Sequence, residues 1–465
     1  MMKNFLIMIF TGFMFFHGVA YSQLKEWSLE ECIKYAIENN IQIKQQVIQT
    51  DYQKNALDIA KLKLLPTVNG QSSYNFSFNR TLDQTTYRYV DQNGQSAQFY
   101  VGGNMPLFTG LQNYNTIKKS ENELLASQQE LQVIKDNIAL SVALGYLQII
   151  LNKELAAAVD NQLQITLQQI EKTQKLVNAG SVARGNLLQI EAQAAQEEVQ
   201  LINLKNQLES SYLNLTQLLE IKTPAGFEVF APEITIDSNS IITGNIDDIF
   251  LQAQMIRPEV KSSEMKLTAS EYDLKIARGG RYPSLSLSHS FSTMYSNIRQ
   301  KIFQDPITGN ITYGDYPFNE QLTDNKNYGL GFNLSIPILN GWQVNKNVAN
   351  SKLALENSNY VLESTKKQLY KNIQQAYTDA VAALKKYNST VKAVASSEES
   401  FRYAEQKFNV GMVTSVDYNA SKTLLLNAQS EMSQAKYEFI FKTKVLDFYK
   451  GIPLTLDNKQ YTNPY

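Results

Sequence analysis

The stretches NAGSVARGNLL (178–188) and NVGMVTSVDYN (409–419) share a pattern of Asn, Gly and Val, are related by a numbering offset of 231, and lie between long helix-like runs. A glycine just beyond the last helical residue often ends a helix, because it adopts the left-handed conformation without strain. Gly180 and Gly411 are therefore predicted to end one helix each. Each stretch is predicted to be the tip of an antiparallel helical hairpin.

A second pair of landmarks shows that the chain is internally duplicated. PLFTG (106–110) and PILNG (337–341) have the same numbering offset of 231, whereas Pro66 and Pro283, each preceded by a matching Ile-Ala pair, have an offset of 217. The second copy is therefore longer by 14 between these landmarks, the difference between the two offsets. A unit of this length is far longer than the roughly 20 to 50 residues of a solenoid repeat.

The N-terminus has the features of a secretory signal. Lys3 precedes an apolar run from Phe5 to Phe16, and small residues stand at the −3 and −1 positions of a cleavage site before Gln23. A retained membrane anchor would need roughly 20 apolar residues. Residues 1–22 are therefore predicted to be removed and the mature chain to be exported. The two copies of the duplicated unit are then assigned to 23–245 and 246–465.

Composition argues against most chemical functions. A formal net charge of −1, with 19% charged residues, gives no surface for nucleic acid. Cys32 is the only cysteine, so no intrachain disulfide forms, and it is predicted to be a buried, inert thiol rather than a lipidation site. His17 is lost with the signal, which leaves His289 alone. Histidine triads and multi-histidine metal sites are thus excluded in a mature monomer, and no catalytic residue, cofactor or metal is predicted.

Four segments alternate with a period of two residues, which is typical of strands with two unlike faces. They are predicted to be strands near 67–79, 97–106, 284–295 and 327–337. A half-buried sheet of a water-soluble protein has the same alternation, but the export signal and the aromatic residues favour a transmembrane barrel. The residues predicted to face lipid are Tyr74, Phe76, Phe78, Leu285, Leu287, Phe291, Leu330, Phe332 and Leu334.

The remaining segments are predicted to be outward loops or helices. Residues 80–96 and 296–326 are rich in Tyr, Asp, Asn and Gly and are predicted to be long loops outside the cell. No proline interrupts the run from Leu107 to Gly180, which is predicted to be one long helix. Beyond the signal no stretch is expected to be apolar enough to cross a bilayer as a helix, so membrane insertion must use strands.

Four strands cannot close a barrel, and lipid does not tolerate an open sheet edge. Chains must therefore associate. Two copies would give eight strands, whose interior is filled by side chains, whereas three would give twelve strands and an aqueous lumen. The long helices would extend the lumen well beyond the bilayer.

The chain resembles the TolC family of outer-membrane efflux proteins over nearly all of its mature length. The resemblance is carried by WSLEECIKYAIENN (27–40), by IRPEVKSSE (256–264), and by the PLFTG, PILNG and NVGMVTSVDYN stretches. It implies an α+β membrane protein in which a trimeric twelve-stranded β-barrel is joined to an α-helical barrel. It also implies an outer-membrane exit duct that reaches into the periplasm, whose tip opens like an iris and docks to a periplasmic adaptor driven by an inner-membrane pump.

The tips are the predicted gate and adaptor-docking surface, in which Asn186 and Asp417 are expected to lie in the N-cap region of the returning helices. The chain departs from well-known family members at two points. Val413 stands where a basic residue is common, and Asn186 stands where an acidic residue is common. The full set of predicted tip residues is Gly180, Ser181, Arg184, Asn186, Gly411, Met412, Val413, Ser415 and Asp417.

Two other classes of protein are considered. A periplasmic coiled-coil adaptor or scaffold would explain the helices but not four alternating strands with long loops. An exported enzyme is disfavoured because carboxylate pairs such as Asp247-Asp248 have no catalytic partner at a motif spacing. Antibiotics, detergents, metal ions and polypeptides could all use such a duct, because selection usually lies with the pump.

Overall fold

The computed structural model describes residues 26–83, 87–232, 234, 236, 242 and 244–456. The predicted signal peptide and its cleavage site lie outside the described residues. The first half of the chain contains β1 (Glu26–Trp27), α1 (Leu29–Asn39), α2 (Ile41–Leu62), β2 (Asn69–Asp83), β3 (Arg88–Thr109), α3 (Gln112–Asn178), α4 (Arg184–Leu218) and β4 (Glu228–Val229). The second half contains α5 (Ile246–Ile256), α6 (Pro258–Gly279), β5 (Ser284–Ser296), β6 (Lys301–Gln304), β7 (Ile311–Gly314), α7 (Phe318–Asp324), β8 (Asn327–Ser335), α8 (Gln343–Asn409) and α9 (Ser415–Tyr449).

Both long hairpins predicted from the sequence are present. The α3–α4 hairpin and the α8–α9 hairpin each join a 67-residue helix to a 35-residue helix. The helix predicted from Leu107 starts later than expected, because β3 continues to Thr109. A left-handed pair, Gly110 (φ +61°) and Leu111 (φ +63°), then turns the chain from sheet to helix.

An apolar core lies where the short helices of the first repeat pack against the middle of the long ones. Val142 and Ile149 of α3 are fully buried there with Cys32 and Ala36 of α1. The hydroxyl of Tyr146 lies against two backbone carbonyl oxygens of the β1 and β4 region. Burial, with nearby glutamates, raises the pKa of the Cys32 thiol to about 12, so the thiol stays protonated and inert, as predicted.

One expectation about the helices is wrong. Among the described helices, α3 is long and apolar enough to cross a bilayer, with a mean hydropathy of 1.4 over its most apolar 18-residue window. However, 44% of that window is buried inside this single chain, since α3 supplies much of the core. Its apolar side chains are therefore already used in helix packing.

A second core joins the opening of the second repeat to the ends of the long helices. Ile249 and Val260 pack with Ile373 and Leu446. Beside this core Arg257, the N-cap residue of α6, is buried against the ring of Phe448, with its guanidinium carbon 3.9 Å from the ring centre. The same guanidinium lies 3.1 Å from Asp136 of α3, so a buried cation links the two repeats.

Strands β2, β3, β5 and β8 form one antiparallel sheet in the order β2-β3-β5-β8. Because paired residues lie on the same face, the register places all nine predicted lipid-facing residues on one side. Val101 and Tyr328 share that side, whereas Ser, Gly and Asn dominate the other. In the isolated chain the predicted lipid-facing side chains of β2 and β8 are exposed; Phe332, for example, is 69% exposed.

The predicted outward loops are more ordered than expected. β2 and β3 pair as far as Asp83 and Arg88, so most of 80–96 is strand rather than loop. The segment 296–326 contains the β6–β7 hairpin and α7. The physical reason is that backbone pairing in a hairpin does not require apolar side chains, so a polar ribbon lacks the alternation that identifies a half-buried strand.

Helix α7 covers the edge of β5 that extends beyond the end of β8. The side-chain amide of Gln321, which is fully buried, accepts from the Ser296 backbone N–H and donates to the Ser296 carbonyl, both at 2.9 Å. Asn325 donates to the Met294 carbonyl at 2.7 Å. These side chains replace the backbone partners that a longer β8 would supply.

Candidate functional site

Both long helices end in the same backbone motif at the hairpin tips. Gly180 (φ +72°) and Gly411 (φ +77°) adopt the predicted left-handed conformation. The following amides, of Ser181 and Met412, donate to the carbonyls five positions earlier at 2.9 and 2.8 Å. This pattern satisfies carbonyls that would otherwise have no partner at the end of the helix.

The returning helices begin differently. At the second tip, Thr414 is the N-cap residue and Asp417 is the third residue of α9. The Asp417 amide donates to the Thr414 hydroxyl oxygen at 3.2 Å, and the Asp417 carboxylate accepts from the Thr414 amide at 3.3 Å. Asp417 thus completes a capping box. At the first tip the N-cap residue is Ala183, which has no side-chain acceptor, so α4 lacks the side-chain cap expected there.

A cleft of about 840 Å³ lies between the two tips. Gly180, Ser181 and Arg184 are exposed on the first tip, outside the lining of the cleft. The structure therefore brings only part of the predicted set together. The predicted tip residues that line the cleft are Asn186, Gly411, Met412, Val413, Ser415 and Asp417.

Ser415 lies between the hairpins rather than on the outer surface. It is 2% exposed, and its hydroxyl donates to the side-chain oxygen of Gln189 in α4 at 2.7 Å. It joins α9 to α4 within one chain, so its hydroxyl is already used in a contact between the hairpins.

Tyr418 is a tip residue that the sequence analysis missed. Its ring stacks on Phe408 at a centroid distance of 4.7 Å and contacts Phe401 at 5.4 Å. Burial raises the pKa of its phenol. The seven-residue spacing of the two phenylalanines, which places both on one face of α8, could have identified this aromatic cluster.

A buried polar network connects the two hairpins further from the tip. Lys422 of α9 donates to the Thr166 hydroxyl at 2.9 Å, and that hydroxyl donates to the Glu197 carboxylate at 2.5 Å. Gln162 and Gln193 donate to the other carboxylate oxygen at 3.2 and 3.0 Å. Lys422, Thr166 and Glu197 are each at most 5% exposed. A buried carboxylate therefore has three donors and a nearby cation.

The network could have been found from spacing, because Glu197 lies between the seam residues Ala194 and Leu201. Burial lowers the pKa of Lys422, and the charge of Glu197 only partly opposes this shift. Because the folded-state pKa of Lys422 is below its unfolded value of 10.5, the free energy of unfolding is, with respect to this group, highest above pH 10.5. It decreases as the pH falls toward the folded-state pKa, because the unfolded chain binds the proton first.

We expect Lys422→Met to lower the free energy of unfolding by about 1–3 kcal/mol, because it leaves the Glu197 carboxylate buried without its cation. The double substitution Lys422→Met with Glu197→Gln should recover most of that loss, since the amide carries no charge. Thermal unfolding of purified protein would measure both. Additive effects of Lys422→Met and Glu197→Gln would show that the two side chains do not interact.

Among the described residues there is no group of three or more His, Cys, Asp or Glu side chains placed to hold a metal ion. The site consists of a cleft, a capping box and polar contacts between hairpins. Such a surface can bind a partner or change its opening.

Comparisons with known proteins agree with this architecture. The chain is 19% identical to outer membrane protein TolC of Salmonella enteritidis over 69% of its own length, and 20% identical to TolC of Escherichia coli K12 over 66%. These matches span 62% and 60% of the lengths of the two relatives. The fold is similar to that of the outer membrane protein VceC of Vibrio cholerae, with a TM-score of 0.72 and 16% identity, covering 91% of this chain and 96% of that one.

The model of the outer membrane efflux protein family matches residues 32–220 and 251–441, one segment in each repeat. Together these segments make up well over half of the chain. The protein thus belongs to the outer membrane efflux protein family and is assigned to the outer membrane, with its helices extending into the periplasm.

Proposed function

We propose that this protein is the outer-membrane exit duct of a tripartite efflux or type I secretion system. The observation that carries the proposal is a four-stranded sheet with one apolar face and two open edges, joined to helices of 67 residues. The sheet is suited to contact lipid, and the helices are suited to enclose a channel in water.

The open edges require further copies of the chain. β2 and β8 each have a neighbour on one side only, and unpaired backbone groups are not tolerated in hydrocarbon. Three copies would provide twelve strands, enough for an aqueous lumen lined by the small polar face. This supports a trimer with a twelve-stranded barrel.

The helices support a passage through the periplasm. At about 1.5 Å per residue, α3 and α8 are each about 100 Å long, whereas the bilayer core is about 30 Å thick. The hairpin tips are therefore far from the sheet. There they would meet a periplasmic adaptor, which an inner-membrane pump would drive.

Replacing Phe332 with Arg should prevent or reduce trimer assembly. The side chain lies on the apolar face of β8, and a lipid-facing arginine costs about 2–4 kcal/mol at the bilayer midplane. Asn333→Arg is the matched control, because the neighbouring residue faces the other side of the same strand. Heat-modifiable trimers in outer membranes are the measurement. Equal loss of trimers in both variants would contradict the assignment of the two faces.

Cysteines placed at Ser181 and Met412 should crosslink to the adaptor, because both residues are exposed at the hairpin tips. A cysteine at Ala225, which is exposed but lies in the connection after α4, is the control. Crosslinked products would be identified by mass spectrometry after treatment of whole cells with a thiol-specific photoreactive reagent. Products found only at Ala225 would rule out tip docking.

Asp417 is proposed to contribute one of three carboxylates at the periplasmic entrance, in addition to its place in the capping box. Threefold symmetry would bring three copies near one axis, where like charges attract cations. Asp417→Asn keeps a side-chain oxygen that can accept from the Thr414 amide, as the carboxylate does in the capping box, but removes the charge.

In planar bilayers the wild-type protein should conduct ions and prefer cations. Asp417→Asn should reduce that preference and any block by divalent cations from the periplasmic side, with little change in trimer stability. Unaltered selectivity would leave Asp417 as a helix cap only. Absence of conductance in the wild-type protein would contradict the duct itself.

A further inference from the structure

The polar face of the four-stranded sheet is uncharged over the segments 69–77, 94–106, 284–296 and 327–335. The strand register assigns every second residue of these segments to this face, and none of these residues is Asp, Glu, Lys, Arg or His. Serine occupies six of the seven positions that β5 contributes, from Ser284 to Ser296. The other strands contribute mainly Ser, Asn, Gln and Gly. In the proposed barrel this face lines the lumen.

Two glycines of β8 lie directly beside serines of β5 on this face. Gly329 pairs with Ser290, and Gly331 pairs with Ser288. A Cβ atom at Gly329 would lie 2.6 Å from the Ser290 hydroxyl oxygen, and one at Gly331 would lie 3.1 Å from the Ser288 hydroxyl oxygen. The Ser288 hydroxyl donates to the Gly331 carbonyl oxygen at 3.1 Å. Both hydroxyl groups therefore lie along the sheet, in the space that the missing glycine side chains leave.

The same arrangement recurs in the first repeat. Gly94 pairs with Ser77, whose hydroxyl oxygen lies 2.6 Å from the Cβ position of the glycine and donates to its carbonyl oxygen at 3.3 Å. The hydroxyl of Tyr100 occupies the Cβ position of Gly102, so the tyrosine ring extends along β3 instead of away from the sheet. In contrast, Gly70 is on the apolar face, and nothing lies within 4 Å of its Cβ position.

We propose that four glycines set the bore of the membrane section of the duct, and that its uncharged wall admits solutes according to size and not according to charge. These glycines are Gly94, Gly102, Gly329 and Gly331. The inference rests on the proposed duct and names the substrate class that this section passes, which is bulky solutes of either charge. Hydroxyl side chains that lie along the wall leave the lumen free, and threefold symmetry repeats each position three times around the axis.

The close approach of the serine explains why glycine stands at position 329. Glycine weakens the interior of a strand and often marks a site where another group comes close. At 2.6 Å, a Cβ atom at Gly329 and the Ser290 hydroxyl oxygen would be nearer than van der Waals contact allows. A larger residue would therefore turn the Ser290 hydroxyl away from the sheet and add its own side chain to the same side. Both changes narrow the lumen.

The absence of charge on this face separates two kinds of selection. A passage lined by charges of one sign raises the local concentration of oppositely charged solutes by about 10-fold or more. The described residues on the polar face of the four segments provide no such charge. Cation preference would therefore arise outside the membrane section, for example at the proposed Asp417 carboxylates of the tips.

The test uses a single reporter cysteine, Ser286→Cys, on the polar face of β5 between Ser290 and the start of the strand. Reagents that enter the proposed barrel from outside the cell must pass Ser290 before they reach this position. Whole cells would be treated with a cationic and an anionic methanethiosulfonate and with maleimide-polyethylene glycols of increasing mass. The native Cys32 is buried and its pKa is raised to about 12, so it should not react. Ile311→Cys, on the exposed β6–β7 hairpin, is the reference for reaction at the cell surface.

The first readout is the ratio of the reaction rates with the cationic and the anionic reagent. For Ser286→Cys this ratio should be within about twofold of that for Ile311→Cys, because an uncharged wall concentrates neither reagent. Adding Ser290→Lys should lower the ratio, and adding Ser290→Asp should raise it.

The second readout is the largest polyethylene glycol that reacts with Ser286→Cys. Gly329→Gln should reduce this size limit while the small reagents still react. Gly70→Leu is the matched control, because it adds a side chain to a glycine on the apolar face, and it should leave the limit unchanged. If Gly329→Gln prevents assembly, Gly329→Ala should give a smaller reduction in a trimer that still forms.

The outcomes separate this inference from the proposed function. A strong preference for one charged reagent at Ser286→Cys, or a size limit that neither substitution of Gly329 changes in a trimeric protein, would overturn the inference and leave the duct intact. A reporter that reacts with none of the reagents, small ones included, would show that the polar face lines no aqueous lumen. That result would overturn both the inference and the duct.

Discussion

The backbone N–H and C=O groups along β2 and β8 require hydrogen-bond partners, and this requirement controls how the rest of the molecule is arranged. Within the chain, β3 and β5 satisfy one edge of each outer strand. The hydrocarbon of a bilayer provides no hydrogen-bond partners for the other edge of each strand. In the proposed multi-chain barrel another copy completes the sheet, and since α3 and α8 leave the sheet through the left-handed corners at Gly110–Leu111 and Gly341–Trp342, the same pairing sets where these helices stand.

The helical part is held together differently at its two ends. Near the short helices, large apolar side chains such as Tyr146 and Ile149 are buried in a continuous core. Toward the tips, the hairpins also meet through polar contacts, as between Ser415 and Gln189 and between Lys422 and Thr166, beside an apolar cluster that contains Leu426 of α9. Polar contacts depend on direction and distance more than apolar packing does. The polar contacts therefore restrict how α9 can lie against α3 and α4 more strictly than apolar packing alone would.

The sequence predicted those features that repeat with a regular period. Alternating residues such as Phe332 and Leu334 identified the sheet and its apolar face, and Gly180 and Gly411 located both tips. Polar strand segments were missed because the pairing of β2 with β3 beyond residue 79 leaves no apolar pattern. The burial of Ser415 was also missed, since it depends on how α9 lies against α4, which no local pattern encodes.

The roles of individual tip residues also depend on the three-dimensional arrangement of the helices. Thr414 rather than Asp417 occupies the N-cap, a difference of three positions that composition does not resolve. The Lys422 network joins side chains from α3, α4 and α9, which are far apart in the sequence. Glu197 lies between the seam residues Ala194 and Leu201, but no pattern in the sequence shows which partners its side chain meets.

The long helices of the two repeats are equal in length. Because α3 and α8 both contain 67 residues, the two tips of a chain stand at the same height above the sheet. One residue inserted into α8 alone would raise its tip by about 1.5 Å and turn it by about 100°. In the proposed trimer, the six hairpin ends would then no longer be level. The 14 additional residues of the second repeat, the difference between the offsets 231 and 217, lie between Pro283 and Pro337, where they leave the lengths of the long helices unchanged.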